Sequence, residues 1–373
     1  MNELYMRCKE KVKEKIRQTD SYSDEEVREV IQSIIAAEHH RHWFSLRKRV
    51  ILGKRIFDAL RGLDVLQPLM DDEAVTDIMV NGESHIYYEK NGHMIRYSEH
   101  FEDKRRLEDL IQQIVGQVNR SVNEANPIVD ARLPDGSRVH AVLSPIALNG
   151  PVLTIRKFRK EAICIEELIE WGTLTSEIAA FLEKAVKGKK NIFVCGGTSS
   201  GKTTLLNVLS NFIPPEERII TIEDAAELRL AQLENVITME TRQASGGKTN
   251  SVTMADLIKA SLRMNPDRII VGEVRGAEAL DMLQAMNTGH EGSLSTGHAN
   301  SCRDMLMRIE TMVLMGHALP LEAIRQQIAS AIDLLIFVER NREGKRELTE
   351  IVEVDGYEEG QINTRIVFKK ERN

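Results

Sequence analysis

Eight consecutive residues carry the most specific chemistry in this chain: Gly196, Gly197, Thr198, Ser199, Ser200, Gly201, Lys202 and Thr203 satisfy G-x-x-x-x-G-K-[ST]. Glycines let the backbone curl so that successive N–H groups point inward at phosphate oxygens. A helix beginning at the lysine adds the positive end of its dipole. In such a loop Lys202 reaches the β and γ phosphates, Thr203 offers its hydroxyl to Mg²⁺, and Thr204 completes the phosphate-contacting turn. The flanks are those the motif requires, with a β-rich run at 191–195 before it and Leu205, Leu206 and Val208 at helical spacing after it. A chance glycine turn lacks such flanks, so ATP and Mg²⁺ are the expected ligands.

Acids follow at the places where a nucleotide site needs them. A strand at 219–222 ends in Glu223 and Asp224, and another at 269–272 ends in Glu273. In an open α/β sheet, strand carboxyl ends face the ligand crevice, where one carboxylate polarises water and another orients the metal. Alone, each acid reads equally well as surface punctuation of a strand. Two histidines, His290 and His298, flank a short strand at 293–296; either senses a γ-phosphate as a hydrogen-bond donor or caps a turn. A metal site there is disfavoured, because His290 and Glu291 are sequence neighbours without a matching ligand pair.

Around this site the elements fall into blocks. Residues 1–60 read as a helical module, with a capping box at Ser23 and Glu26 before Val27, Val30, Ile31, Ile34 and Ile35. Its basic stretch at 41–55, with Trp43 and Phe44, touches a membrane or partner or is a solvated helix face. Residues 61–158 alternate as short strands at 76–80, 85–89, 138–143 and 152–157, with Asn81-Gly82, Asn91-Gly92 and Pro134-Asp135-Gly136 turns. One amphipathic helix there presents Leu107, Leu110, Ile111, Ile114, Val115 and Val118 on one face. A connector at 159–174 leads to an α/β domain at 175–373 with a mostly parallel sheet covered on both faces. The Gly/Ser/Thr/Asn-rich segment 244–251 is expected to be a mobile loop.

Composition bounds the rest. The net charge of −7 and pI near 5.9 argue against a chain that wraps nucleic acid. Cys8, Cys164, Cys195 and Cys302 are far apart and read as buried or incidental thiols in a reducing compartment, with no zinc ribbon. Apolar runs are too short to span a bilayer, so a soluble, cytoplasmic chain with at most peripheral membrane contact is expected.

The segments 219–228 (IITIEDAAEL), 264–276 (MNPDRIIVGEVRG) and 283–301 (LQAMNTGHEGSLSTGHANS) resemble the type II and type IV secretion ATPases, in particular the CpaF or TadA branch of Flp/Tad pilus assembly. The resemblance runs from about Leu63 to the C-terminus. It implies a RecA-like P-loop ATPase domain preceded by a PAS-like α/β domain, hexameric rings, and ATP held between the domains. It further implies that Glu223 is the catalytic carboxylate, Glu273 the magnesium-associated acid and His298 the γ-phosphate sensor. Arg132, Arg138, Arg156 and Arg159 match the family's arginine-bearing strands, one or more as an arginine finger and the others as solvated edge charges. Arg242 and Arg275 are weaker candidates. The implied client is an inner-membrane platform protein. A four-cysteine metal site seen in type II export relatives is not matched here, and the first sixty residues match no functional motif.

Three other readings compete. A nucleic-acid translocating RecA-like motor would need a basic channel with stacking aromatics, and aromatics make up only 5% of residues. A non-catalytic scaffold would have lost Lys202, Thr203, Glu223 or Glu273, and all are present. A guanine-nucleotide switch would carry an Asn-Lys-x-Asp segment, which is missing.

Overall fold

A computed structural model describes residues 2–17, 22–41, 43–117, 121–157, 163–230, 232–242, 250–341 and 343–371. Val118, Arg159 and most of the 244–251 loop lie outside them. Contacts gather Met1–Lys160 into one unit and Glu161–Asn373 into a second.

The first unit begins with three helices, α1 (Asn2–Ile16), α2 (Asp24–Arg41) and α3 (Leu46–Arg61). Ser23 and Glu26 form the reciprocal box expected from sequence, with Glu26 accepting from Ser23 N–H at 2.7 Å and Ser23 Oγ from Glu26 N–H at 3.3 Å. Val27, Ile31, Ile35, Leu52 and Ile56 bury against one another at the i, i+4 spacings that put them on facing stripes. After α4 (Gln67–Asp71) come β1 (Val75–Asn81), β2 (Ile86–Lys90), β3 (His93–Arg96), α5 (Lys104–Gln117), β4 (Ile128–Arg132), β5 (Arg138–Val142) and β6 (Val152–Arg156). They form an antiparallel sheet ordered β3-β2-β1-β6-β5-β4, with the apolar face of α5 in its core. Asn91 (φ 52°) and Gly92 (φ 77°) make the two-residue turn between β2 and β3. Neither β3 nor β4 was expected from alternation, and these are the two edges of the sheet. β3 is exposed throughout, so it lacks the apolar period that burial on one face imposes. The ion pairs Lys9–Glu102 and Arg106–Asp64 tie α1 to the segment before α5, and α5 to the turn after α3.

The second unit holds α6 (Ile165–Glu170), α7 (Ser176–Lys187), β7 (Ile192–Gly196), α8 (Lys202–Ser210), β8 (Ile219–Glu223), β9 (Val236–Glu240), α9 (Met254–Ser261) and β10 (Arg268–Val271). Then follow α10 (Ala279–Asn287), β11 (Leu294–His298), α11 (Cys302–Leu314), α12 (Leu321–Ala331), β12 (Leu334–Arg340), β13 (Arg346–Glu358) and β14 (Gln361–Lys369). The stretch read as a connector carries α6, whose Leu168 is buried in this unit's core. Six strands run parallel in the order β12-β7-β11-β10-β8-β9, and β13 and β14 extend the sheet antiparallel. β7, β8 and β10 are buried at every position, as parallel strands covered on both faces must be. Cys8, Cys195 and Cys302 are buried and Cys164 is exposed. Among the described residues no helix is long and apolar enough to cross a membrane.

Candidate active site

β7 delivers Gly196 to the start of the loop. A Cβ there would lie 2.2 Å from Val338 O and 2.6 Å from Ser200 Oγ, so only glycine fits. Ser199 (φ 58°) and Gly201 (φ 98°) hold left-handed backbone and turn the chain into α8. For Ser199 that conformation costs on the order of 1 kcal/mol. Arg346 holds it in place, donating Nε–H to Ser199 O at 3.2 Å. No local pattern signals this contact, which comes from β13, 147 residues later in the chain. Because α8 starts without a side-chain cap hydrogen bond among the described residues, its first-turn N–H groups at Lys202, Thr203 and Thr204 suit an anion.

Parallel register brings the next groups alongside. His298 pairs with Gly196 at the carboxyl ends of β11 and β7, which places the imidazole beside the loop. Lys202 Nζ donates to Gly197 O at 2.8 Å and lies 3.3 Å from His298 Nδ1. The other ring nitrogen, Nε2, is 2.9 Å from Glu273 Oε1. An ammonium on one side and a carboxylate on the other assign the proton to Nε2. Burial, then the charge of Lys202, hold His298 below its ordinary pKa, so the ring is neutral near pH 7. Burial likewise lowers Lys202.

Glu273 is the hub. Burial would raise its pKa, but the hydrogen bond and charge of Arg275, with His298 and Lys202, hold it below the ordinary carboxylate range. Arg275 donates to Glu273 Oε2 at 2.7 Å and reaches Asp224 Oδ2 at 3.3 Å. Asp224 also accepts from Thr241 Oγ1 at 3.2 Å. Arg275 thus stands at the centre of the site, although sequence ranked it as a weak candidate. Arg242 donates instead to Asn250 O. Glu223 is buried with its Cγ against Gly272, where a Cβ would come within 2.8 Å. Its carboxylate accepts from the N–H groups of Glu227 at 2.9 Å and Leu228 at 3.2 Å, so it fixes the loop that follows β8.

His290 is not brought to this cluster. It precedes the amino end of β11, at least four strand steps or about 13 Å from His298, and its Nδ1 sits 3.2 Å from Ala285 O. The turn-capping alternative describes it.

The oxygen donors suit Mg²⁺. Thr203 supplies a hydroxyl in the first turn of α8, and Glu273 Oε1 is a buried carboxylate oxygen at ion-pair distance from His298 but without an aligned hydrogen bond among the described residues. Ser200 Oγ is buried beside them and equally without a partner there. Such an ion keeps its waters and takes one or two protein oxygens plus substrate phosphates, so no larger cage is needed.

In the first unit the register assembles another row. Arg132 pairs with Arg138, Arg138 with Arg156, and Arg156 with Asp77, so three arginines on adjacent strands lie on one face of the sheet. Arg156 donates to Asp77 at 3.1 Å.

A family model described as type II/IV secretion system protein matches residues 59–357. An uncharacterised protein of Methanocaldococcus jannaschii is 45% identical over 253 residues, 65% of this chain and 35% of that protein, so the chain spans well under half of that relative's length. The type IV secretion system protein PtlH of Bordetella pertussis is 35% identical over 318 residues, 78% of this chain and 93% of PtlH. The pilus retraction motor PilT, solved with bound ADP, aligns with a TM-score of 0.58 over 84% of each chain at 21% identity, a likeness of fold.

Proposed function

The chain belongs to the type II/IV secretion system protein family and is a P-loop ATPase, and we propose that it is the motor of a secretion or Flp/Tad-type pilus assembly system of the CpaF or TadA branch. ATP hydrolysis is turned into domain motion that drives export of pilin or protein. The motor works as a homohexamer in the cytoplasm, peripherally on the inner face of the cell membrane, against an inner-membrane platform protein. The resemblance of the three quoted segments supports the branch and the partner. The contiguous chain Lys202–His298–Glu273–Arg275–Asp224 at the P-loop carries the chemistry.

In this mechanism the P-loop amides and Lys202 hold the β and γ phosphates, and Lys202 exchanges Gly197 O and His298 for phosphate oxygens. Thr203 and Glu273 would hold Mg²⁺, which when bound would neutralise charge on those oxygens. His298, neutral with its one N–H on Nε2, gives up Glu273 Oε1 to donate to the γ-phosphate, so phosphate binding is reported to Glu273. Glu223 orients the attacking water from its fixed position at the end of β8. Arg132, Arg138 and Arg156 supply positive charge to the transition state; the like-charged row in their register supports that role. Arg159, outside the described residues, is proposed on the resemblance alone.

ATP turnover by the purified chain, with and without DNA, tests the reading. Glu223→Gln and Glu273→Gln are expected to lower kcat by roughly 10²-fold or more. Wild-type turnover in both would sink the assignment of roles, and strong stimulation by DNA would favour a nucleic-acid motor.

A further inference from the structure

The first three helices leave one flank open. A groove of about 780 Å³ runs between α2 and α3. Its α2 wall is Arg28, Ile31, Gln32 and Ile35, at i, i+3, i+4 and i+7, and its α3 wall is Leu46, Val50, Gly53 and Phe57 at the matching helical spacing. Leu46 and Val50 are 72% and 65% exposed, a large apolar presence for neighbouring turns of one helix. Two parallel stripes of this kind form the seat for a third helix of about three turns.

Charge and backbone say what fits. Arg47, Lys48, Arg49, Lys54 and Arg55 fall in nine residues of α3 without an intervening acid. Of the two acids that also line the groove, Asp71 pairs with Lys54 and Asp58 is buried, while Arg55 pairs with Glu99 and Arg47, Lys48 and Arg49 have no ion pair among the described residues. Arg28 lies over the Phe57 ring at 3.7 Å and keeps its charge at the groove's edge. Gly53 sits mid-helix on the groove wall, where glycine costs roughly 0.5–1 kcal/mol relative to alanine. A Cβ there would meet only Ile35 at 3.6 Å and Ile31 at 3.8 Å, ordinary contacts, so nothing within the chain demands glycine. Glycine there leaves room for a close approach by another backbone. A bilayer surface is too broad to enter a cleft between two helices.

We propose that the α2–α3 groove docks an acidic amphipathic helix of a partner protein, its apolar stripe over Gly53 and its carboxylates against Arg28 and Arg49. The test is fluorescence anisotropy on the full chain with two synthetic helices of about 18 residues, long enough to be helical. Both carry leucine at i, i+3, i+4 and i+7, one with glutamates elsewhere and the other with lysines. The glutamate helix is expected to bind at least about tenfold tighter. Arg28→Glu with Arg49→Glu should abolish that preference. Gly53→Leu, which fills the wall without a severe clash, should weaken binding by about tenfold while ATP turnover and thermal melting stay at wild type. Equal binding of the two helices, or no effect of either variant, overturns the proposal. Adsorption to phosphatidylglycerol vesicles lost in Arg49→Glu, without helix binding, would assign the face to lipid instead. Self-association lost in Gly53→Leu, again without helix binding, would assign it to a second copy.

Discussion

The two units each carry a row of charges, and the rows are built on opposite plans. In the second unit the signs alternate through Lys202, neutral His298, Glu273, Arg275 and Asp224, so each group is answered by its neighbour. In the first unit Arg132, Arg138 and Arg156 stand directly across from one another on one sheet face, and Arg156 pairs with Asp77. Like charges opposite each other destabilise a sheet by a few tenths of a kcal/mol or more per pair. The alternating row is therefore preorganised by its own members, whereas the arginine row gathers charge of one sign on three adjacent strands, an arrangement suited to an anion. Stability alone explains neither. The side chain of Arg275 is 62% exposed and that of Asp224 48%, and so open a pair contributes little to folding.

Substitutions should separate the plans. Arg138→Ala is expected to lower kcat by roughly 10³-fold, as for loss of an arginine finger, with a much smaller effect on the melting temperature. A large loss of stability without loss of turnover would make the row structural. Gly272→Ala tests the tight seat of Glu223 and should cost about 1–3 kcal/mol in chemical denaturation, since the new Cβ meets Glu223 Cγ.

Smaller effects probe the electrostatics of the alternating row. Arg275→Ala should cut turnover by about tenfold and move the acidic limb of the pH–rate profile upward. The sign follows from Glu273, whose folded pKa lies below its ordinary 4.5. The stability it contributes is complete above 4.5 and lost as pH falls through the folded value. Without Arg275, burial dominates, and Glu273 takes up its proton at higher pH. The smallest effect is the NMR titration of His298, which should lie below the ordinary histidine value and rise part of the way in Lys202→Ala. A partial rise is expected because burial, the larger cause, remains.

Much of this was legible in sequence because it is local. The P-loop, the Ser23–Glu26 box and the Asn91-Gly92 turn each declare themselves within a few residues, and the alternation of strand and helix after the connector points to a mostly parallel sheet covered on both faces. What escaped depends on register and long-range pairing. β3 and β4 lie at sheet edges, where half-burial no longer writes an alternating pattern. The central place of Arg275 follows from its reach to two acids on neighbouring strand ends, and Arg346 touches Ser199 only because β13 returns along the sheet beside β12. Sequence weighed His290 and His298 as a pair, and only the direction of β11 separates them, putting one at each end of the strand.

The central claim is that the row around Lys202 binds and turns over ATP. Its most direct test is steady-state ATP hydrolysis by the full chain carrying Lys202→Ala. The account predicts a fall of roughly 10²–10³-fold in kcat/KM with folding intact, and turnover at the wild-type level would contradict it.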